Sequence, residues 1–247
     1  ETLAALHPLT GLVLPETPPY RIRGQLVHEG AEWRFNDFTG NVGDSDLSGD
    51  LTATYLDERP RLTAKLRSKQ LDIDDLAGFV AATPATGPGE TASSEQKVEA
   101  ARKEQEDRVL PDEPVDLAQL RSMDADVEFT ALSIRKKDLP IDNLTTHLTL
   151  ERGLLKLEPL NFGVAGGRIE SNMRIDARQS ALALETRTHF TRLDLSKLLP
   201  ANEVVERSAG LIGGRANLKS RGSSTAELLG NADGELGIAM RSGRFSN

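Results

Sequence analysis

The sequence predicts a mainly β protein, a repeated antiparallel meander that forms a long, curved, open β-sheet groove with a few short helices. Three observations carry that expectation. Apolar and polar residues alternate with a period of two over many segments of about ten residues, as in strands buried on one face only. Clusters of Gly, Pro, Asn and Asp of turn length separate these segments. The pattern also recurs: residues 122 positions apart align without a gap from Leu47 with Ile169 to Leu76 with Leu198, which points to one supersecondary unit used twice.

Four strands are expected first, at Tyr20–Glu29, Glu32–Thr39, Asp46–Leu56 and Arg61–Leu71. In the third, Leu47, Leu51, Ala53 and Tyr55 alternate with Asp46, Ser48, Asp50 and Thr52; in the fourth, Leu62, Ala64 and Leu66 stand between Arg61, Thr63, Lys65 and Arg67. The stretch Pro15 to Pro19 before them is an extended entry that cannot be helical. Gly30, "GNVGDS" from Gly40 and "DERP" from Asp57 supply the turns. Asp72 then caps a short helix carrying Leu76 and Phe79, with Asp74 and Asp75 in its first turn. From Ala81 to Asp116 the composition shifts to Pro, Gly, Ser and charge, an exposed linker with helical character at Glu95 to Asp107.

Strands resume at Ala125–Arg135, Asn143–Leu150, Leu154–Leu160, Gly167–Asp176 and Ala181–Thr191, with a tight turn at Glu151 to Gly153 and a short helix in "LDLSKLLP". A last group starts at Leu211. The expected organisation is a first groove repeat over 1–80, the linker over 81–116, a second repeat over 117–200 and the start of a further group of strands over 201–247. The chain begins without Met and ends inside an apparent strand, so it reads as a piece of a longer protein, with any membrane anchor outside it.

Composition narrows the function. Aromatic residues are 4% and hydrophobic residues 38% of the 247, so the apolar material is mostly aliphatic and singly placed. With 30 Lys and Arg against 38 Asp and Glu the net charge is −8, and no basic stripe is interleaved with aromatics; nucleic acid is not an expected partner. There is no Cys, hence no disulfide framework and no thiolate metal site.

Motifs of chemistry are weak. "DSDLSGD" at Asp44 to Asp50 imitates the start of a calcium loop, but Tyr55 stands where a bidentate Glu belongs, and turn-and-strand is the better reading. "GVAGG" (Gly163 to Gly167) and "GLIGG" (Gly210 to Gly214) read as turns or bulges between strands, since neither has a P-loop or Rossmann context. His7, His28, His147 and His189 are scattered, and no nucleophile elbow is present. No catalytic residue, metal site or cofactor is expected. What remains is the apolar face: Leu51, Tyr55, Leu62, Leu66, Leu148, Leu150, Ile169, Met173, Leu182, Leu184 and Phe190 share one inward phase.

Three longer stretches carry a resemblance. Trp33 to Phe79 contains Gly43-Asp44-Ser45-Asp46-Leu47-Ser48-Gly49 and then Pro60-Arg61-Leu62-Thr63-Ala64-Lys65-Leu66, and resembles the Gly-x-[Ser/Asn]-x-[Leu/Ile]-x-Gly strand and Pro-Arg-Leu-x-Ala-x-Leu strand of the AsmA family, Gram-negative envelope proteins related to bridge-like lipid-transfer proteins. Asp124 to Asp176 is similar to a later block of that family, and Gly210 to Phe245 to its C-terminal signature. The resemblance implies a periplasmic body, an inner-membrane anchor outside this sequence, and an apolar β-groove that conducts phospholipid acyl chains toward the outer membrane, the eleven residues above being the lipid-binding ones. Two rivals are weighed: a closed β-sandwich scaffold for envelope or outer-membrane protein assembly, with envelope proteins as partners, and an envelope hydrolase built on His147 or His189.

Overall fold

The computed structural model describes residues 17–55, 59–72, 75, 97–98, 117–135, 141–198 and 209–244. Eleven strands lie side by side in chain order in one sheet: β1 (Tyr20–Glu29), β2 (Glu32–Val42), β3 (Ser45–Thr54), β4 (Arg61–Asp72), β5 (Asp124–Arg135), β6 (Ile141–Glu151), β7 (Leu154–Val164), β8 (Gly167–Asp176), β9 (Leu182–Asp194), β10 (Ala209–Gly222) and β11 (Asp233–Arg244). Among the described residues, three short helices accompany them: α1 (Leu117–Ser122), α2 (Leu195–Leu198) and α3 (Thr225–Gly230). The sheet does not close on itself, and the described strands form no second sheet, so they do not make the sandwich weighed above. The expected helix at Leu76 and Phe79 and almost all of the linker lie outside the described residues.

Two-residue turns set the register of several hairpins. Arg152 and Gly153 both have positive φ (49° and 81°) between β6 and β7, the geometry whose twist matches that of paired strands. Gly43 (φ 59°) turns β2 into β3; a Cβ there would fall 2.1 Å from an Asp75 carboxylate oxygen. One pairing departs from the expected antiparallel order. β4 and β5 run parallel, from Arg61 beside Asp124 to Asp72 beside Arg135. The chain leaves β4 at one margin of the sheet and re-enters through α1 at the other, as a parallel pair requires.

The two halves coincide strand by strand. Shifted by 122, β2 falls on β7 and β3 on β8, with β1 and β6, and β4 and β9, agreeing to within a residue. Strand irregularities recur with them. Asp37 (φ 48°) sits in the register shift between Phe35 and Phe38, and its counterpart Pro159, after a cis peptide, sits in the shift between Leu157 and Leu160. Each shift moves the apolar side chains by one step, so that Phe38 and Leu160 return to the face left by Phe35 and Leu157.

Several boundaries differ from those expected. β7 runs on to Val164 rather than ending at Leu160, because Pro159, which has no N–H to give to a ladder, makes a bulge and not a stop. "GLIGG" is not a turn: Gly210 to Gly214 lie inside β10, with a register shift between Ile212 and Gly214. Gly214 is required there, since a Cβ would meet the Gly237 carbonyl at 2.1 Å and the Phe190 ring at 2.7 Å. α1 and α3 are not anticipated by the sequence reading.

Candidate functional site

Alternation places the apolar side chains on one face, and the ladder aligns them into rows that cross nine strands. The first runs Trp33, Ala53, Leu62, Ala125, Leu150, Leu155, Ile175, Leu184 and Ser220. The second runs Phe35, Leu51, Ala64, Val127, Leu148, Leu157, Met173, Thr186 and Leu218. The third runs Phe38, Gly49, Leu66, Phe129, Thr146, Leu160, Ser171, Thr188 and Ala216.

Both margins of this face are filled by the chain itself. At one, Leu120 of α1 and Met123 pack with Ala53, Ala125, Leu150, Tyr55 and Leu62. At the other, Val164, Ala165, Phe190 and Leu193 gather Ile169, Leu198 and Ile212, and Leu71, Ala131 and Ile134 make a smaller cluster with Phe129 and Leu144. Between the margins no described element lies over the sheet.

The eleven residues singled out in the sequence all fall on this face. Leu51, Tyr55, Leu62, Leu66, Leu148, Ile169, Met173 and Leu184 are half-buried; Leu150, Leu182 and Phe190 are buried, and Leu150 and Phe190 belong to the marginal clusters. The sequence reading omits Leu155, Leu157, Leu160 and Phe162 of β7, although the 122-residue offset to Trp33, Phe35, Phe38 and Gly40 points to them. It also passes over Thr146, Ser171, Thr186 and Thr188, polar residues in apolar positions.

The opposite face is charged. Lys65 pairs with Glu128 at 3.3 Å, Lys219 with Glu185 at 3.6 Å and His147 with Asp126 at 2.8 Å. His189 lies 3.8 Å from Glu170, three strands from His147, or on the order of 14 Å. These histidines do not meet, and no group of His, Asp and Glu that would hold a metal is found among the described residues. A depression of about 290 Å³ on this face is lined by polar side chains including Asn161, Glu170, Asn172, Arg187, His189 and Arg215.

A polar clip closes one margin in the first repeat. The Asp75 carboxylate accepts from Asp44 N (3.0 Å), Ser45 N (2.8 Å) and Ser45 Oγ (2.6 Å). Burial pushes its pKa up to about 6 against the pull of the Ser45 hydroxyl, and the neighbouring Asp72 adds to the rise. Arg135 in turn donates to Asp72 at 2.6 Å and lies 3.2 Å from Asp44. Asp46 accepts from Lys69 N and Gln70 N of β4.

Among the described residues, a single amphipathic sheet that does not close on itself, with no element over the middle of its aliphatic face, defines a β-groove protein. The sequence profile of the AsmA family matches residues 4–247. The AsmA family protein YhjG of Escherichia coli (strain K12) is 34% identical over 252 residues, which cover 100% of this chain and 37% of that protein. The chain belongs to the AsmA family. It spans little more than a third of the length of that curated relative, and no solved structure matches it.

Proposed function

We propose that this chain is a non-enzymatic lipid-transport module that conducts phospholipid acyl chains along its apolar face. The observation that supports this reading is the set of three rows crossing nine strands, aliphatic for most of their length and with no described element over them between the margins. A lipid leaving a bilayer exposes its tails at a cost of about 0.8 kcal/mol per CH₂. A continuous aliphatic surface returns most of that cost at every step, so the barrier to movement falls without a cofactor or fuel. Eleven strands at about 4.8 Å make a path near 50 Å long. AsmA family membership supports an envelope-associated role. In that setting the module works in the periplasm between inner and outer membranes, held to the inner membrane by a segment outside this sequence, with envelope proteins at its ends.

Photo-crosslinking side chains at Leu51 and Leu184, with Lys65 and Arg67 on the charged face as controls, test this in cells by mass spectrometry of the adducts. Phospholipid adducts at Leu51 and Leu184, and not at the controls, are expected. Equal capture at all four positions, or none, overturns the reading.

A further inference from the structure

The apolar face carries one cluster of hydroxyls. In its second and third rows, at β8 and β9, Ser171, Thr186 and Thr188 stand together: Ser171 Oγ lies 2.8 Å from Thr188 Oγ1, and Thr186 Oγ1 lies 3.3 Å from Thr188 Oγ1. Aliphatic residues surround them, with Leu160 and Met173 on one side and Leu218 and Ala216 on the other. The counterparts 122 residues earlier are Gly49, Ala64 and Leu66, which bear no side-chain polar atom. The second repeat therefore carries a hydroxyl cluster where the first is wholly apolar.

Counting hydrogens shows what the cluster lacks. Three hydroxyls bring three O–H donors, and the two contacts between them use two. At least one donor is left over. Thr146, in the same row two strands from Ser171, adds a buried hydroxyl oxygen with no partner. While the trough is open, water can satisfy the half-buried Thr186 and Thr188. Once hydrocarbon displaces the water they are stranded, an expensive state for a buried donor. A ligand that brings its own acceptor into an otherwise oily contact removes the penalty. A fatty acyl ester does so: its carbonyl oxygen accepts a hydrogen bond and its chain fills the aliphatic surface on either side.

We propose that Ser171, Thr186 and Thr188 form a subsite for the ester carbonyl of an acyl lipid, fixing where along the sheet the lipid comes to rest. This deepens the lipid-transport reading and rests on it. The first repeat, lacking such donors, is a surface that hydrocarbon slides over; the second holds the lipid by its linkage.

The test uses the purified chain equilibrated with methyl palmitate, and the infrared stretch of the ester carbonyl, which lies above the protein amide bands. In the wild type the band is expected to shift to the lower frequency of a hydrogen-bonded ester. In S171A/T186V/T188V the band of the ester that stays bound is expected to return to its position in alkane solvent. T186V alone, which keeps the β-branched shape, is expected to lose part of the shift if the triple variant does not fold. Bound ester with a free-carbonyl band in the wild type overturns the subsite and leaves the groove standing. Absence of any bound ester in the wild type overturns the groove reading and the subsite with it.

Discussion

The two repeats share a framework and differ in what fills it. β2 to β4 and β7 to β9 match in length to within a residue and share one bulge, at Asp37 and Pro159. Chemistry at equivalent positions diverges. The first repeat closes its margin with polar contacts, Ser68 donating to Asp46 and Asp75 gripping Ser45, whereas the second uses Phe190 against Val164 and Leu193, with Lys197 where the first has Asp75. The middle of the face is reversed: apolar Gly49, Ala64 and Leu66 in the first, hydroxyl-bearing Ser171, Thr186 and Thr188 in the second. Backbone geometry is thus the retained quantity, because one slipped register turns a whole strand inside out, while side chains on a settled backbone are free to trade apolar for polar contacts.

Exchanging equivalent residues breaks this comparison most sharply at the Phe190 margin. Phe190→Ala is expected to destabilise the chain by about 3–5 kcal/mol, by loss of ring contacts and the cavity left behind, whereas the equivalent Ser68→Ala removes one hydrogen bond worth about 1 kcal/mol. Urea titration followed by circular dichroism measures both. An equal loss at the two positions would show that Phe190 is not a core residue.

Next in size is Gly49→Ser, which writes the second repeat's residue into the first. Gly49 has φ 147°, and a Cβ there would lie 1.9 Å from the Lys65 carbonyl oxygen, so a cost of about 3 kcal/mol is expected from backbone strain and displaced pairing. The reciprocal Ser171→Gly meets no such obstacle and is expected to cost about 1 kcal/mol through strand entropy. The same titrations rank the two, and a tolerated Gly49→Ser contradicts the described backbone.

The Asp75 clip gives a pH signature that the second repeat, with Lys197, lacks. Its folded pKa of about 6 lies above the ordinary carboxyl value of 3.8, so its protonated form is the one folding favours. Its contribution is complete below about pH 4 and is lost as pH rises through 6, an effect of up to about 2 kcal/mol after allowance for solvent screening. Asp46, Asp176 and Asp194, whose pKa values are lowered, act in the other direction and below pH 4. Melting temperatures from pH 4 to 7 are expected to fall in the wild type and to lose that slope in Asp75→Asn.

Smallest of the set is Asp46→Ala, expected to cost about 1–2 kcal/mol by releasing the Lys69 and Gln70 amides that it holds. Arg168 occupies the equivalent position in the second repeat, and Arg168→Ala is expected to leave stability within about 0.5 kcal/mol of wild type. Hydrogen exchange at Lys69 and Gln70 reads the loss directly.

Alternation made most strands and the shared face of the eleven apolar residues legible. It failed where phase changes inside a strand. Leu155, Leu157, Leu160 and Phe162 are split by Glu158-Pro159 into two runs of opposite parity, and a reading that trusts strict alternation stops at the break. The parallel pairing of β4 with β5 left no local mark, since it depends on where a long connection returns the chain. α3 did leave one: Ser224 accepts from Glu227 N and Glu227 reaches back to Ser223 N, a capping pair written as Ser-Thr-Ala-Glu. The polar interruption at Ser171, Thr186 and Thr188 is visible only when the repeats are laid over each other, because threonine in a strand is otherwise unremarked.

Each four-strand unit with the strand that links it to the next counts five, an odd number. In a purely antiparallel chain the second copy would therefore begin upside down, its turns exchanged between top and bottom. Setting β5 alongside β4 in the same direction cancels the inversion, so β6 points as β1 does and the copies keep the same up-and-down sense along the sheet. Any further tile added by that rule would advance the path by roughly 24 Å, five strand spacings, and keep its upper and lower rims where they were.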